Sequence, residues 1–197
     1  MVTFEQVSSF IPEFMNALYN KEAFESTSLE EIRDAFRKKQ IQGKTLLLDL
    51  VEKHCSKEQE IVIVGSWLGF TSFCLHKLGY NKTTGVDPNM RLTPIAIWSN
   101  RFNKEYAHIV SDINHLNLDS YDVIINTSCE HINNNKWFDE AKPGTLMILQ
   151  STDYEEWDHT NTCTSLEEME SKYPMNLLHK ETLNLDYYNR YVLVGIK

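Results

Sequence analysis

The sequence predicts an α/β domain, a three-layer sandwich whose mostly parallel seven-stranded sheet ends in an antiparallel hairpin and is preceded by helices. Three observations predict it. Short β-branched or apolar runs alternate with helix-like segments from Glu60 onward, which implies crossover connections and a parallel sheet covered on both faces. The last two extended stretches, Leu177 to Leu185 and Tyr191 to Ile196, are joined only by a short polar turn, too short for a crossover, so they pair antiparallel. The region before Cys55 carries helical spacing and helix-start signals instead of strands.

In the N-terminal region, Thr3 with Gln6 and Ser28 with Glu31 fit capping boxes, in which each side chain satisfies an unpaired amide at a helix start. Phe10, Phe14, Ala17 and Leu18 repeat at helical spacing, as do Leu29, Ile32 and Phe36, and Gly43 reads as the stop of the helix that begins near Ser28. Ile61–Val64 is the first strand, closed by Gly65. A helix over Thr71–Leu78 leads to a second strand at Thr83–Val86, which ends on Asp87 and Pro88. The next helix begins near Thr93, with Pro94 tolerated in its first turn. Ala107–Val110 and Asp122–Ile125 form the third and fourth strands, Lys136–Ala141 a short helix, and Thr145–Leu149 the fifth strand after a Pro143-Gly144 turn. Ser165 with Glu168 caps the last helix. The chain divides into a helical cap over residues 1–55 and one compact α/β unit over 56–197.

The 197 residues suffice for one domain with a full core. A formal net charge of -9 argues against a duplex nucleic-acid binder, which needs clustered Lys and Arg to neutralise phosphates. Cys55, Cys74, Cys129 and Cys163 form no CxxC pair. Cys74 with His76, or Cys129 with His131, lacks a second pair at zinc-site spacing, so no metal is expected. With no signal-peptide pattern and no apolar run of the ~18 residues that span a membrane, the expected home is the cytoplasm.

Ligands of an open parallel sheet sit beyond the carboxyl ends of its strands. There the sequence places Gly65-Ser66-Trp67-Leu68-Gly69, with glycines that allow a tight turn and close backbone approach to a ligand. Asp87 follows the second strand, at the position of a carboxylate that accepts ribose hydroxyls. Together they point to a nucleoside site, and the alternative is a tight turn with Asp87 capping a helix.

From Glu60 to the C-terminus the chain resembles the class I S-adenosylmethionine-dependent methyltransferases, of Rossmann-like fold. The resemblance rests on Gly65 to Gly69, Val86-Asp87-Pro88, Ser111-Asp112, Tyr121 to Asn126, Cys129-Glu130-His131-Ile132 and Lys142-Pro143-Gly144-Thr145. It implies S-adenosylmethionine as cofactor, with Gly65, Ser66, Trp67, Leu68 and Gly69 as the cofactor loop and Asp87 with Pro88 at the ribose. It also implies Asp112 with Ile113 at the adenine and a small-molecule acceptor. Asn126, Ser128, Glu130 and His131 are the candidates for polar contacts to that acceptor; Asn126 would touch cofactor as well, and His131 has an alternative as a packing residue. Tyr19 is the lid residue expected to face a ligand, and the polar stretch Thr152 to Thr162 would border the acceptor.

Two positions depart from the usual family pattern. Val64 stands where an acidic residue is usual, and Trp67 occupies the place of the middle loop glycine. They leave two further readings: transfer of another group from the same cofactor, as in nicotianamine-synthase-like enzymes, or a non-catalytic nucleoside-binding module.

Overall fold

The computed structural model describes residues 1–17 and 27–197. Leu18, Tyr19 and Phe24 lie outside the described residues. The helical elements are α1 (Phe4–Ser9), α2 (Ile11–Ala17), α3 (Leu29–Ala35), α4 (Lys38–His54), α5 (Phe70–Lys77), α6 (Thr93–Ser99), α7 (Lys136–Glu140) and α8 (Leu166–Lys172). The strands are β1 (Ile61–Val64), β2 (Thr83–Asp87), β3 (Ala107–Val110), β4 (Val123–Asn126), β5 (Leu146–Thr152), β6 (Asn176–Asn184) and β7 (Asn189–Ile196).

The strands form one sheet in the order β3-β2-β1-β4-β5-β7-β6. β1 to β5 pair in parallel, whereas β7 runs antiparallel between β5 and β6. Successive side chains of a strand point to opposite faces, and both faces are covered here. Ile61, Ile63, Val123 and Ile125 join a core cluster with Val7, Phe14, Ile32 and Leu47 from the N-terminal helices. Val62, Val64 and Ile124 join a second cluster with Trp137, Phe138, Met169 and Tyr173 on the opposite face. This is why the central strands read as unbroken apolar runs instead of alternating ones.

The N-terminal helices are fastened by aromatic packing. Phe14 is fully buried and meets Phe36, Phe70 and Phe73 edge-on at centroid distances of 5.7, 5.0 and 5.4 Å. Ser28 and Glu31 complete the expected reciprocal capping box, and Thr3 and Ser165 accept amides at their own helix starts; of the box expected at Thr3 only this half forms, the Gln6 amide donating to the Thr3 hydroxyl at 3.2 Å. One expectation is corrected. The helix beginning near Ser28 does not run to Gly43; it ends at Ala35, and Arg37 is extended at ψ 143° before α4 begins. Gly43 lies inside α4, where an added Cβ would come within 3.2 Å of Arg190 Cδ. That glycine provides room for a neighbouring side chain and stops no helix.

Candidate functional site

The strand order reverses between β1 and β4, and the loops after those strands diverge to leave a crevice. A pocket of about 1400 Å³ occupies it. That exceeds the ~300–1,000 Å³ usual for one small ligand, so two molecules can be accommodated together.

The loop after β1 has three consecutive odd positions in the left-handed region: Gly65 at φ 67°, Trp67 at φ 48° and Gly69 at φ 79°. Glycine adopts that region freely, while a tryptophan there is strained by ~1–2 kcal/mol. A hydrogen bond anchors the strained residue: the Trp67 amide donates to Asp87 Oδ2 at 2.8 Å. The Asn89 amide donates to Asp87 Oδ1 at 2.9 Å. The indole packs against the core cluster that contains the N-terminal helices. Gly65 also permits close approach of the β4 loop, since a Cβ there would lie 2.9 Å from Ser128 Oγ.

Asp87, Pro88, Asp112 and Ile113 all line the pocket, together with Gly65, Trp67 and His131. Val64, Val86 and Ile113 line the same pocket and belong to one buried apolar cluster. Asp112 Oδ1 accepts the amide of Asn114 at 2.9 Å, which fixes the tight turn carrying Ile113. Ser66, Leu68 and Gly69 are not among the lining residues: Leu68 belongs to the core, and the Ser66 hydroxyl is buried without a partner among the described residues. Asn126 is fully buried at the end of β4 and is likewise not among the lining residues. Its Oδ1 accepts the Ser128 amide at 3.0 Å, and its Nδ2 is buried without a partner among the described residues.

Other lining residues were passed over in the sequence. In a chain of net charge -9, Arg37, Lys38, Lys39, Lys44 and Arg190 all line the pocket, Arg37 paired with Asp34 and Lys39 with Asp186. Burial, and then the Arg190 guanidinium, pull the Lys44 amine down to about 8. Arg190 is almost wholly buried and its Nε has no partner among the described residues. The only signal for this pair was Gly43, whose missing side chain lets α4 lie against Arg190. Aromatic side chains of Tyr154, Trp157, Tyr187 and Tyr188 ring the mouth.

No protein-family profile matches the sequence, and no curated protein matches it. Solved structures do match. N-methyltransferase NodS from Bradyrhizobium japonicum WM9, in complex with S-adenosyl-l-homocysteine, aligns with a TM-score of 0.69 at 12% identity, over 90% of this chain and 97% of its own. Magnesium protoporphyrin IX methyltransferase (ChlM) from Synechocystis PCC 6803 with bound SAM aligns with a TM-score of 0.63 at 13% identity, covering 91% and 93% respectively. A SAM-dependent methyltransferase from Aquifex aeolicus aligns with a TM-score of 0.58 at 17% identity, covering 76% and 88%. Identities this low speak to fold alone, and on that measure the chain has the fold of the class I S-adenosylmethionine-dependent methyltransferases.

Proposed function

We propose that the protein is an enzyme that binds S-adenosylmethionine and transfers its methyl group to a small-molecule acceptor. The observation that carries this reading is that Asp87 and Asp112 line one pocket together with the apolar Val64, Val86 and Ile113, at the crevice where the strand order reverses. Structures sharing the fold hold this cofactor or its demethylated product. Each Asp87 oxygen accepts one backbone amide and keeps a second lone pair, enough to receive one ribose hydroxyl. The Gly65 to Gly69 loop would pass beneath the methionine arm with Asp87 and Pro88 at the sugar. Asp112 would take the adenine amino group, with Val64, Val86 and Ile113 against the ring face. The basic wall of Lys44 and Arg190 supports an anionic group on one of the bound molecules. His131, Ser128 and the loop after β5 face the acceptor side.

Methyl transfer asks little proton chemistry of the protein, because the sulfonium already activates the methyl carbon. Alignment of the nucleophile with that carbon supplies most of the rate enhancement. Residues 1–55 act in this reading as a cap, since Glu31, Asp34 and residues 37–40 border the pocket. Among the described residues, no helix is long and apolar enough to cross a membrane. The four free cysteines support a reducing cytoplasmic setting.

Calorimetry with S-adenosylmethionine and S-adenosylhomocysteine tests the binding, and mass analysis of products tests the chemistry. Saturable binding of both, with S-adenosylhomocysteine as product, is expected. Methylthioadenosine as product would instead establish transfer of the aminobutyryl arm. Absence of binding at millimolar concentration would overturn the reading.

A further inference from the structure

Side chains of types able to ligate a metal converge from two distant segments in the wall of the pocket. Glu130 and His131 lie in the tight turn after β4, and His159 lies in the polar loop after β5. One ligand-capable atom from each falls within 4.8 Å of the others. Small side-chain rotations bring such a set onto one ion with ~2.1 Å bonds.

Three independent features point to an ion there. Glu130 is only 3% exposed, and its Oε2 is buried with no hydrogen-bond partner among the described residues. A carboxylate oxygen removed from water and offered no donor is costly, and a cation would relieve it. Second, each imidazole has its Nδ1 beside an acceptor, which leaves Nε2 as the nitrogen that can ligate. His159 Nδ1 lies 2.6 Å from the Tyr154 carbonyl oxygen, which can only accept, so Nδ1 carries the proton and Nε2 presents its lone pair. His131 Nδ1 lies 3.3 Å from Asp158 Oδ2, with the same consequence. A carbonyl or carboxylate behind each imidazole is the usual outer support of a metal-bound histidine. Third, the two segments are tied together: the amides of Thr160 and Asn161 donate to the Glu130 carbonyl oxygen at 2.8 and 2.9 Å. The histidine-bearing loop is thereby fixed beside the carboxylate.

We propose that Glu130, His131 and His159 bind one first-row divalent transition-metal ion, with Asp158 and the Tyr154 carbonyl orienting the two imidazoles. Two imidazoles and one carboxylate suit Zn²⁺, Mn²⁺, Fe²⁺ or Co²⁺ better than an all-oxygen ion such as Ca²⁺. Expectation from sequence ran the other way, because Cys129 next to His131 had no companion pair. Cys129 is buried in the core and takes no part; His159, contributed by a separate loop, completes the set. All three residues line the same pocket as Asp87, and three protein ligands leave coordination positions open towards it. A donor atom of the acceptor would occupy one of them. That last step rests on the methyl-transfer reading, whereas metal binding itself does not.

The test is a titration of chelator-stripped protein with Co²⁺ alone, followed by its visible absorption and by calorimetry. Uptake of one equivalent, reversed by Zn²⁺, is expected. Asp158→Asn should weaken the affinity about 10–100-fold by releasing an imidazole, and His159→Gln or Glu130→Gln should weaken it further. His115→Gln, outside the pocket lining, should leave it unchanged. Circular dichroism checks the folding of each variant, and His159→Gln carries the test should Glu130→Gln unfold. No saturable uptake, or an affinity unaltered by His159→Gln, overturns the proposal. A parallel titration of the metal-free protein with S-adenosylhomocysteine keeps the two readings apart. Nucleoside binding without metal uptake defeats this proposal alone, and metal uptake without nucleoside binding defeats only the proposed cofactor.

Discussion

Replacing Asp87 by alanine should loosen the fold as well as the ligand site, because this carboxylate anchors two backbone segments. Its oxygens accept the Trp67 amide at 2.8 Å and the Asn89 amide at 2.9 Å, and the residue is 8% exposed. Hydrogen bonds to a charged group contribute about 1.5–3 kcal/mol each. Losing both would cost roughly 3–6 kcal/mol if nothing relaxed. Relaxation is available here, since Trp67 is held at φ 48° and can drop out of the left-handed region once released. Recovering the ~1–2 kcal/mol of that strain brings the expected loss to about 3 kcal/mol. For a chain of this length that corresponds to a fall in Tm of roughly 6–12 °C. Asp87→Asn keeps one acceptor and should lose about 1.5–3 kcal/mol. Thermal unfolding followed by circular dichroism, without any ligand, measures both. A fall of less than about 2 °C for Asp87→Ala would refute the anchoring argument.

Gly69→Ala should cost more stability than Gly144→Ala in urea unfolding. Both residues have positive φ, but a Cβ at Gly69 meets Asn100 Nδ2 at 2.8 Å and the Ala96 Cα at 3.0 Å, while Gly144 has nothing within 4 Å. The excess is the overpacking penalty, about 1–3 kcal/mol, and equal losses at the two sites would contradict it. A third expectation concerns acid. Arg91 and the Ser28 cap hold the Glu31 carboxyl down at about 2 against an ordinary value of 4.5. The folded-state value is depressed, so the stabilisation is complete above pH 4.5 and is lost as pH falls through about 2. Glu31→Gln should therefore lower Tm at pH 6 and flatten its decline between pH 5 and about 2; an unchanged acid limb would count against the Glu31–Arg91 pair.

The architecture was legible because its signals are local. Ile61–Val64 is buried on both faces, so it reads as one unbroken β-branched run, and Gly65 marks the turn that follows. The capping residues Thr3, Ser28 and Ser165 satisfy amides only a few positions away, so sequence spacing alone locates those helix starts. Asp87 and Asp112 could be placed on the crevice because residues ending parallel strands all emerge at one edge. Gly43 misled because a helical glycine has two uses, ending a helix or admitting a neighbour, and only the approach of Arg190 from the far end of the chain chooses between them. Lys44 and Arg190 meet for the same non-local reason. Glu130, His131 and His159 form a cluster through a loop tied across two strands, and no spacing along the chain encodes that meeting. Sequence by itself determined the layers, the strand directions and the edge at which the pocket opens, since burial and turn chemistry act over a few residues. Tertiary structure alone decided which charges and ligating atoms face one another across the pocket, because those distances depend on how separate elements pack.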